Sequence, residues 1–257
     1  TRPLPATNSP VGDPLEILEL RRAVAGATAS EIRHVIEHRL PLVDLPATAP
    51  EFDAWTWSLY DLGLAAEAIP DLPLALELYA RSIGCNSLTP HLRSAAMVRS
   101  GLCLEHLGRW SEAKQIYLGA LDGSFGWPEN RAILLWRLGR LQSAAEEFEP
   151  AVSSFGQLLE LLPQPGIPRH EVALEWAVCL ERTGQTGAAA AALSDIAAQP
   201  HPGAVEALLR LSSLYLRSGL PDRAAAALDS VIRHPMAEPP ARAASALRLD
   251  QLQTRGE

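Results

Sequence analysis

His34, Glu37 and His38 fall in the pattern H-x-x-E-H. On a helix, two imidazoles one turn apart can hold Zn²⁺, and a glutamate between them can act as general base in hydrolysis. The neighbouring residues oppose that reading. Ile32, Val35, Ile36 and Leu40 form the apolar stripe of the same helix, which turns all three polar side chains toward water. No downstream acidic ligand accompanies them. The three cysteines, Cys85, Cys103 and Cys179, are odd in number and far apart. No C-x-x-C occurs, so neither a zinc knuckle nor a dithiol redox pair is available. Cys103 and His106 stand at i, i+3 and could share a ligand. Yet Cys103 and Cys179 recur at one position of a longer pattern, where other copies carry Ala65, Leu141 and Leu214, so packing is the better reading. Nucleophile-elbow, P-loop and dinucleotide fingerprints are absent from the sequence. Gly123-Ser124-Phe125-Gly126 is expected to be a turn. No catalytic residue, cofactor or metal is expected, and the chain is read as a non-enzyme.

The elements that would carry these residues are helices. The 257 residues are 47% hydrophobic, rich in Ala and Leu, with only 4 Phe and 4 Tyr, which disfavours an all-β protein and is ample for a core. The formal charge is −8, against a nucleic-acid or anionic-membrane partner, since both need excess Lys and Arg. Lys114 is the single lysine; that and the Ala usage have the accent of a GC-rich, bacterial genome. No apolar run reaches the length of a membrane span. The start at Thr1 rather than Met suggests that something upstream was removed. Residues 1–13 hold Pro3, Pro5 and Pro10 and read as a linker, which could follow a signal peptide, an anchor or another domain. Bacterial cytoplasm and periplasm stay equally open.

A repeat organises the rest. Small residues at 63, 101, 139, 177 and 212 are spaced by 38, 38, 38 and 35, each inside a leucine-rich helical pattern. Twelve residues after each stands an alanine: Ala75, Ala113, Ala151, Ala189 and Ala224. Tyr79, Tyr117 and Phe155 follow at i+4 of the first three. Gly108, Gly184 and Gly219 are placed to end the first helix of a hairpin. The units are expected at about 54–86, 92–123, 130–163, 170–200 and 204–235. A capping hairpin is expected at 14–45, with Asp13 and Pro14 opening its first helix and Ser30-Glu31 its second, and a last helix at 240–253, all in one domain over 14–257.

This grammar, large–x–x–Leu-Gly followed by Ala–x–x–x–aromatic and then Pro163, resembles the tetratricopeptide repeat (TPR), a helix–turn–helix of roughly 34 residues. The resemblance spans roughly 54–235. Sel1-like repeats, with longer loops, are an alternative for the earliest units, where Asp71-Leu72-Pro73 precedes Ala75. The implied fold is all-α, a right-handed α-solenoid with terminal caps. In that family the first helices line a groove for an extended or helical peptide. Family positions carry over here to Trp57, Tyr60, Leu64 and Glu67; to Val98, Leu102, Glu105 and His106; to Trp136, Arg140 and Ser143; to Leu174, Val178, Glu181 and Arg182; and to Leu209, Ser213 and Arg217. Some, above all Val98 and Leu174, could instead pack between repeats. The Lys and Asn of chaperone-binding members are replaced by Tyr60/Leu64 and Val98/Leu102, so chaperone tails are not expected partners. The implied function is a scaffold or adaptor that binds a partner protein, a peptide or its own copies. The alternatives are an envelope-assembly or export accessory tethered through its N-terminus, and a peptide-sensing regulatory domain of a larger protein.

Overall fold

The structure, a computed structural model, describes residues 28–38, 49–84, 90–122, 128–199, 201 and 203–255. The linker at 1–13, the first capping helix, Cys85 and the Gly123–Gly126 turn lie outside the described residues. Twelve α-helices are described: α1 (Ala29–His38), α2 (Ala49–Ala68), α3 (Leu72–Gly84), α4 (Pro90–His106), α5 (Trp110–Asp122), α6 (Pro128–Ala144), α7 (Phe148–Leu161), α8 (Arg169–Arg182), α9 (Thr186–Ala197), α10 (Gly203–Arg217), α11 (Pro221–Arg233) and α12 (Pro239–Arg255). Among the described residues there is no strand, only an isolated bridge between Gln164 and Ile167. The all-α expectation holds. The helices fall into two compact units, divided within α6 between Leu134 and Leu135.

In the first unit α2 packs on α3, α3 on α4 and α4 on α5; α2 and α4 also touch directly. In the second unit the chain of contacts runs from α7 through α12, and α8 touches α10. In both units, therefore, first helices of successive hairpins lie side by side.

A small residue on each first helix, with a bulky one sixteen positions later, holds each hairpin together. Gly63 faces the ring of Tyr79, Gly101 that of Tyr117 and Gly139 that of Phe155. A Cβ at Gly63 or Gly101 would collide with the tyrosine ring, and one at Gly139 would stand 2.7 Å from Phe155 Cε1. All three rings are fully buried. Further on, the pairs become Ala177 with Leu193 and Ser212 with Leu228, a larger notch residue against a smaller plug, again buried. The five alanines at 75, 113, 151, 189 and 224 are each 0% exposed, so the second helix approaches at a residue that adds almost no volume.

The hairpin turns repeat as closely. A backbone N–H bonds back five residues from Asp71 to Ala66, Arg109 to Leu104, Glu147 to Gln142, Gln185 to Leu180 and Leu220 to Tyr215. This is the Schellman closure, which needs a left-handed residue just before the donor. Gly108, Gly184 and Gly219 supply it at φ 72°, 77° and 70°. In the third hairpin Glu146 takes the role at φ 59°, without glycine's freedom.

Two outcomes follow for stability. Gly101→Ala should cost about 1–3 kcal/mol in chemical denaturation, because a methyl is forced into a ring. The cost should shrink in a Tyr117→Leu background, which recreates the Ala177–Leu193 pair; additive losses would mean the two residues do not share the notch. Glu146→Gly should stabilise by up to about 1 kcal/mol, since the left-handed conformation is strained for residues with a Cβ. An unchanged or lower Tm would refute that assignment.

Candidate functional site

In the first unit, the side where α2 meets α4 carries a polar and aromatic ladder. Trp57 is half-buried and stands edge-on to Tyr60, with ring centroids 6.2 Å apart. Tyr60 leans on Tyr79 at 5.7 Å and joins the margin of the core. Glu67 is the junction. Its carboxylate accepts from the Tyr79 hydroxyl at 2.6 Å and from Arg99 Nη1 at 3.1 Å. Burial raises the Tyr60 pKa, and the nearby Arg99 charge opposes that rise. Burial raises the Tyr79 pKa, and the hydrogen bond to Glu67 raises it further. One repeat later Tyr117 donates to Glu105 at 2.5 Å, the same latch at the same offset of twelve. Leu64, Leu102 and Glu105 are half-buried and His106 is exposed, while Val98 is buried.

In the second unit the latch changes. Phe155 and Leu193 have no hydroxyl, and the carboxylate position on the first helix becomes Ser143 and then Glu181. Ser154 instead donates to Gln142 at 2.7 Å, both side chains buried. Ser143 accepts the Cys179 thiol at 3.6 Å. Glu181, with no tyrosine to hold, pairs with Arg217 of the next first helix. Trp136 is half-buried between two cations, the Arg137 and Arg140 guanidiniums lying 5.8 and 6.0 Å from its ring centre. Arg140 reaches Glu175 on α8 at 3.4 Å. Arg182 lies over the Phe148 ring at 4.4 Å, by the hairpin turn. Leu174 is buried.

None of the eleven residues singled out from the groove positions is fully buried: Trp57, Tyr60, Leu64, Leu102, Glu105, His106, Trp136, Arg140, Glu181, Arg182 and Arg217 are half-buried or exposed. The groove positions do not include Arg99, Glu175 and Arg210, although all three sit in contacts between first helices or beside them. A signal for them exists. Two residues before each small notch residue stands a charge: Asp61, Arg99, Arg137, Glu175 and Arg210. All five are half-buried. A charged residue recurring at one helical offset beside a packing residue marks an edge where neighbouring helices meet with ionic partners.

The other residues singled out by their chemistry do not converge among the described residues. Cys103 and Cys179 are buried free thiols. Burial, reinforced by the Glu67 carboxylate, pushes Cys103 up to about 12, so it stays a protonated thiol. His106 is exposed while Cys103 is buried, so the two do not face a common ligand. His34 is exposed on α1, and the side chains of Glu37 and His38 lie outside the described residues. No group of three metal-ligating side chains gathers among the described residues, and no described helix is long and apolar enough to cross a membrane.

Helical hairpins closed by a notch and plug, with their first helices side by side, define an α-helical repeat protein of the solenoid class. Two tetratricopeptide-repeat models match the sequence, one over residues 129–200 and 174–242, the other over 95–121. Together they take in more than half of the chain, which belongs to the tetratricopeptide-repeat family. No curated protein matches it in sequence. Among solved structures, YrrB, described as a TPR protein with an unusual peptide-binding site, is similar with a TM-score of 0.59 at 17% identity, covering 84% of this chain and 97% of that one. BtubC (BKLC) from P. vanneervenii gives 0.53 at 18%, covering 83% and 87%. MamA from Desulfovibrio magneticus RS-1, from residue 41 to its end, gives 0.55 at 12%, covering 72% and 97%. At such identities the likeness is one of fold. Repeats of this kind are typically non-enzymatic interaction modules, and in that general sense the chain is a protein-interaction scaffold.

Glu175 offers a test of the site's electrostatics. Burial raises its pKa above the ordinary 4.5, against the opposing pull of Arg140. A raised carboxyl favours folding while protonated and loses that advantage as pH climbs through its shifted value. Glu175→Gln should therefore melt at or above wild type at pH 7.5, with the difference vanishing near pH 4. A lower Tm for the variant at pH 7.5 would show that the Arg140 pair outweighs burial.

Proposed function

We propose that the first-helix face of each unit binds an extended or helical segment of a partner protein, or of a second copy of this chain, without chemistry of its own. One observation carries this reading. The half-buried Trp136 ring lies beside the Arg137 and Arg140 guanidiniums on the first-helix face, and Arg140 pairs with Glu175 of the next first helix. Such a cluster offers aromatic area and charged donors together on an accessible face. Trp and Arg are also the side chains most enriched at binding hot spots. The same face would serve a tethered accessory or a peptide-sensing regulatory domain, which differ only in what else is attached to the chain.

Purified wild type, Trp136→Ala and Arg140→Glu should be compared as bait in lysate of the source organism. A protein retained by wild type should be lost by both variants, since one hot-spot truncation costs about 2 kcal/mol, roughly thirtyfold in affinity. Helicity should be retained in both, and Arg140→Glu should lower Tm only modestly, as it sets a carboxylate against Glu175. If Trp136→Ala unfolds the chain, or retention survives both changes, the face is not the binding surface.

A further inference from the structure

The second unit contains an open cavity of about 350 Å³ between α8, α10 and α12. Its walls carry three guanidiniums, Arg210, Arg217 and Arg248, against two carboxylates, Glu181 and Glu206. In a chain whose net charge is −8, this spot holds one cation in excess. Arg210 is tied to Glu206, Nε to Oε1 at 2.9 Å and Nη2 to the same oxygen at 2.8 Å. Arg217 is tied to Glu181. Arg248 is exposed and has no ion pair or hydrogen bond among the described residues. A guanidinium carries five N–H donors, so even the two paired arginines keep donors to offer.

We infer that this cavity is a subsite for an acidic side chain, Glu or Asp, of a peptide bound on the first-helix face. The inference rests on the peptide-binding reading of that face and names what one position of the ligand must be. A single carboxylate neutralises the one excess charge and fits the planar fork of Arg248 in bidentate fashion. A dianion such as a phosphate monoester would gather a second negative charge next to Glu181 and Glu206, which the geometry penalises. The rest of the wall suits a side chain on a peptide better than a free small acid. Leu209 offers apolar contact to the methylenes. Ser213 already donates its hydroxyl proton to the Leu209 carbonyl at 3.1 Å, which leaves its oxygen to accept a main-chain N–H.

The test selects random dodecapeptides, displayed without a free C-terminal carboxylate, on the full chain. Wild type should enrich Asp or Glu at one fixed position. For a selected peptide, replacing that acid by its amide, or Arg248→Gln in the protein, should each weaken binding about tenfold, and the two together no more than either alone. Arg248 is exposed, so the variant's melting should match wild type. Selected peptides without a fixed acid, or with affinity indifferent to Arg248→Gln, would overturn the subsite while leaving the peptide-binding face standing. If wild type selects no peptide, that broader reading falls, and the subsite is judged by a second probe, N-acetylglutamic acid α-amide, followed through the arginine Nε–H NMR signals. Movement of Arg248 and Arg217, with Arg233 still and with N-acetylglutamine amide inactive, would support it. No movement would overturn it.

Discussion

The fold rests on a side chain that is not there. Two helices can pack at hairpin distance only if one yields volume where the other projects a ring, and Gly63, Gly101 and Gly139 yield it to Tyr79, Tyr117 and Phe155. The alanines at 75, 113, 151, 189 and 224 do the same from the opposite helix. Each hairpin is thereby closed by two points of close approach and one bulky plug. Sequence then has freedom elsewhere, so long as the summed volume of notch and plug stays constant. Ala177 with Leu193 and Ser212 with Leu228 are that exchange made within one chain.

The identity of the plug also decides what the neighbouring surface can offer. A tyrosine plug ends in a hydroxyl that must be satisfied, and Glu67 and Glu105 satisfy it. Those carboxylates are drawn inward, and Arg99 is drawn to Glu67 in turn. Once the plug becomes Phe155 or Leu193 the demand disappears. Glu181 is then available to Arg217 across the first-helix layer, and charge moves from the interior of the hairpin to its face. The second unit accordingly carries the arginine-lined cavity and the Trp136 cluster, while the first unit carries a ladder partly occupied by its own tyrosines.

Much of this architecture is legible in the amino-acid sequence. The notch residues, the alanine column and the rings at fixed offsets are packing constraints of one residue each, and such constraints repeat in sequence because geometry repeats. The glycines at 108, 184 and 219 are legible too, since the left-handed turn admits few substitutes. Glu146 is not, because a strained residue at the same corner leaves no compositional mark. Arg99 and Glu175 escape for a different reason. An ion pair between helices depends on two residues from different repeats, Glu67 with Arg99 or Arg140 with Glu175. Long side chains can meet from several helical offsets, so no single spacing announces the pair. Only the recurrence of charge two positions before the notch hints at it.

That asymmetry between packing and charge bears on how a repeat scaffold acquires specificity. Positions that set hairpin distance are fixed by volume and read the same from unit to unit. Positions on the first-helix face are bound only by the need to satisfy whatever polar atoms the plug leaves behind. Replacing Tyr by Phe or Leu removes a buried hydroxyl at little cost to packing, and releases a carboxylate or its successor for use on the surface. Ser143 and Glu181 are two results of that release, one turned to a buried thiol and the other to an arginine. The recognition chemistry of the second unit is thus a consequence of how its core is plugged, one layer beneath the surface on which a partner would rest.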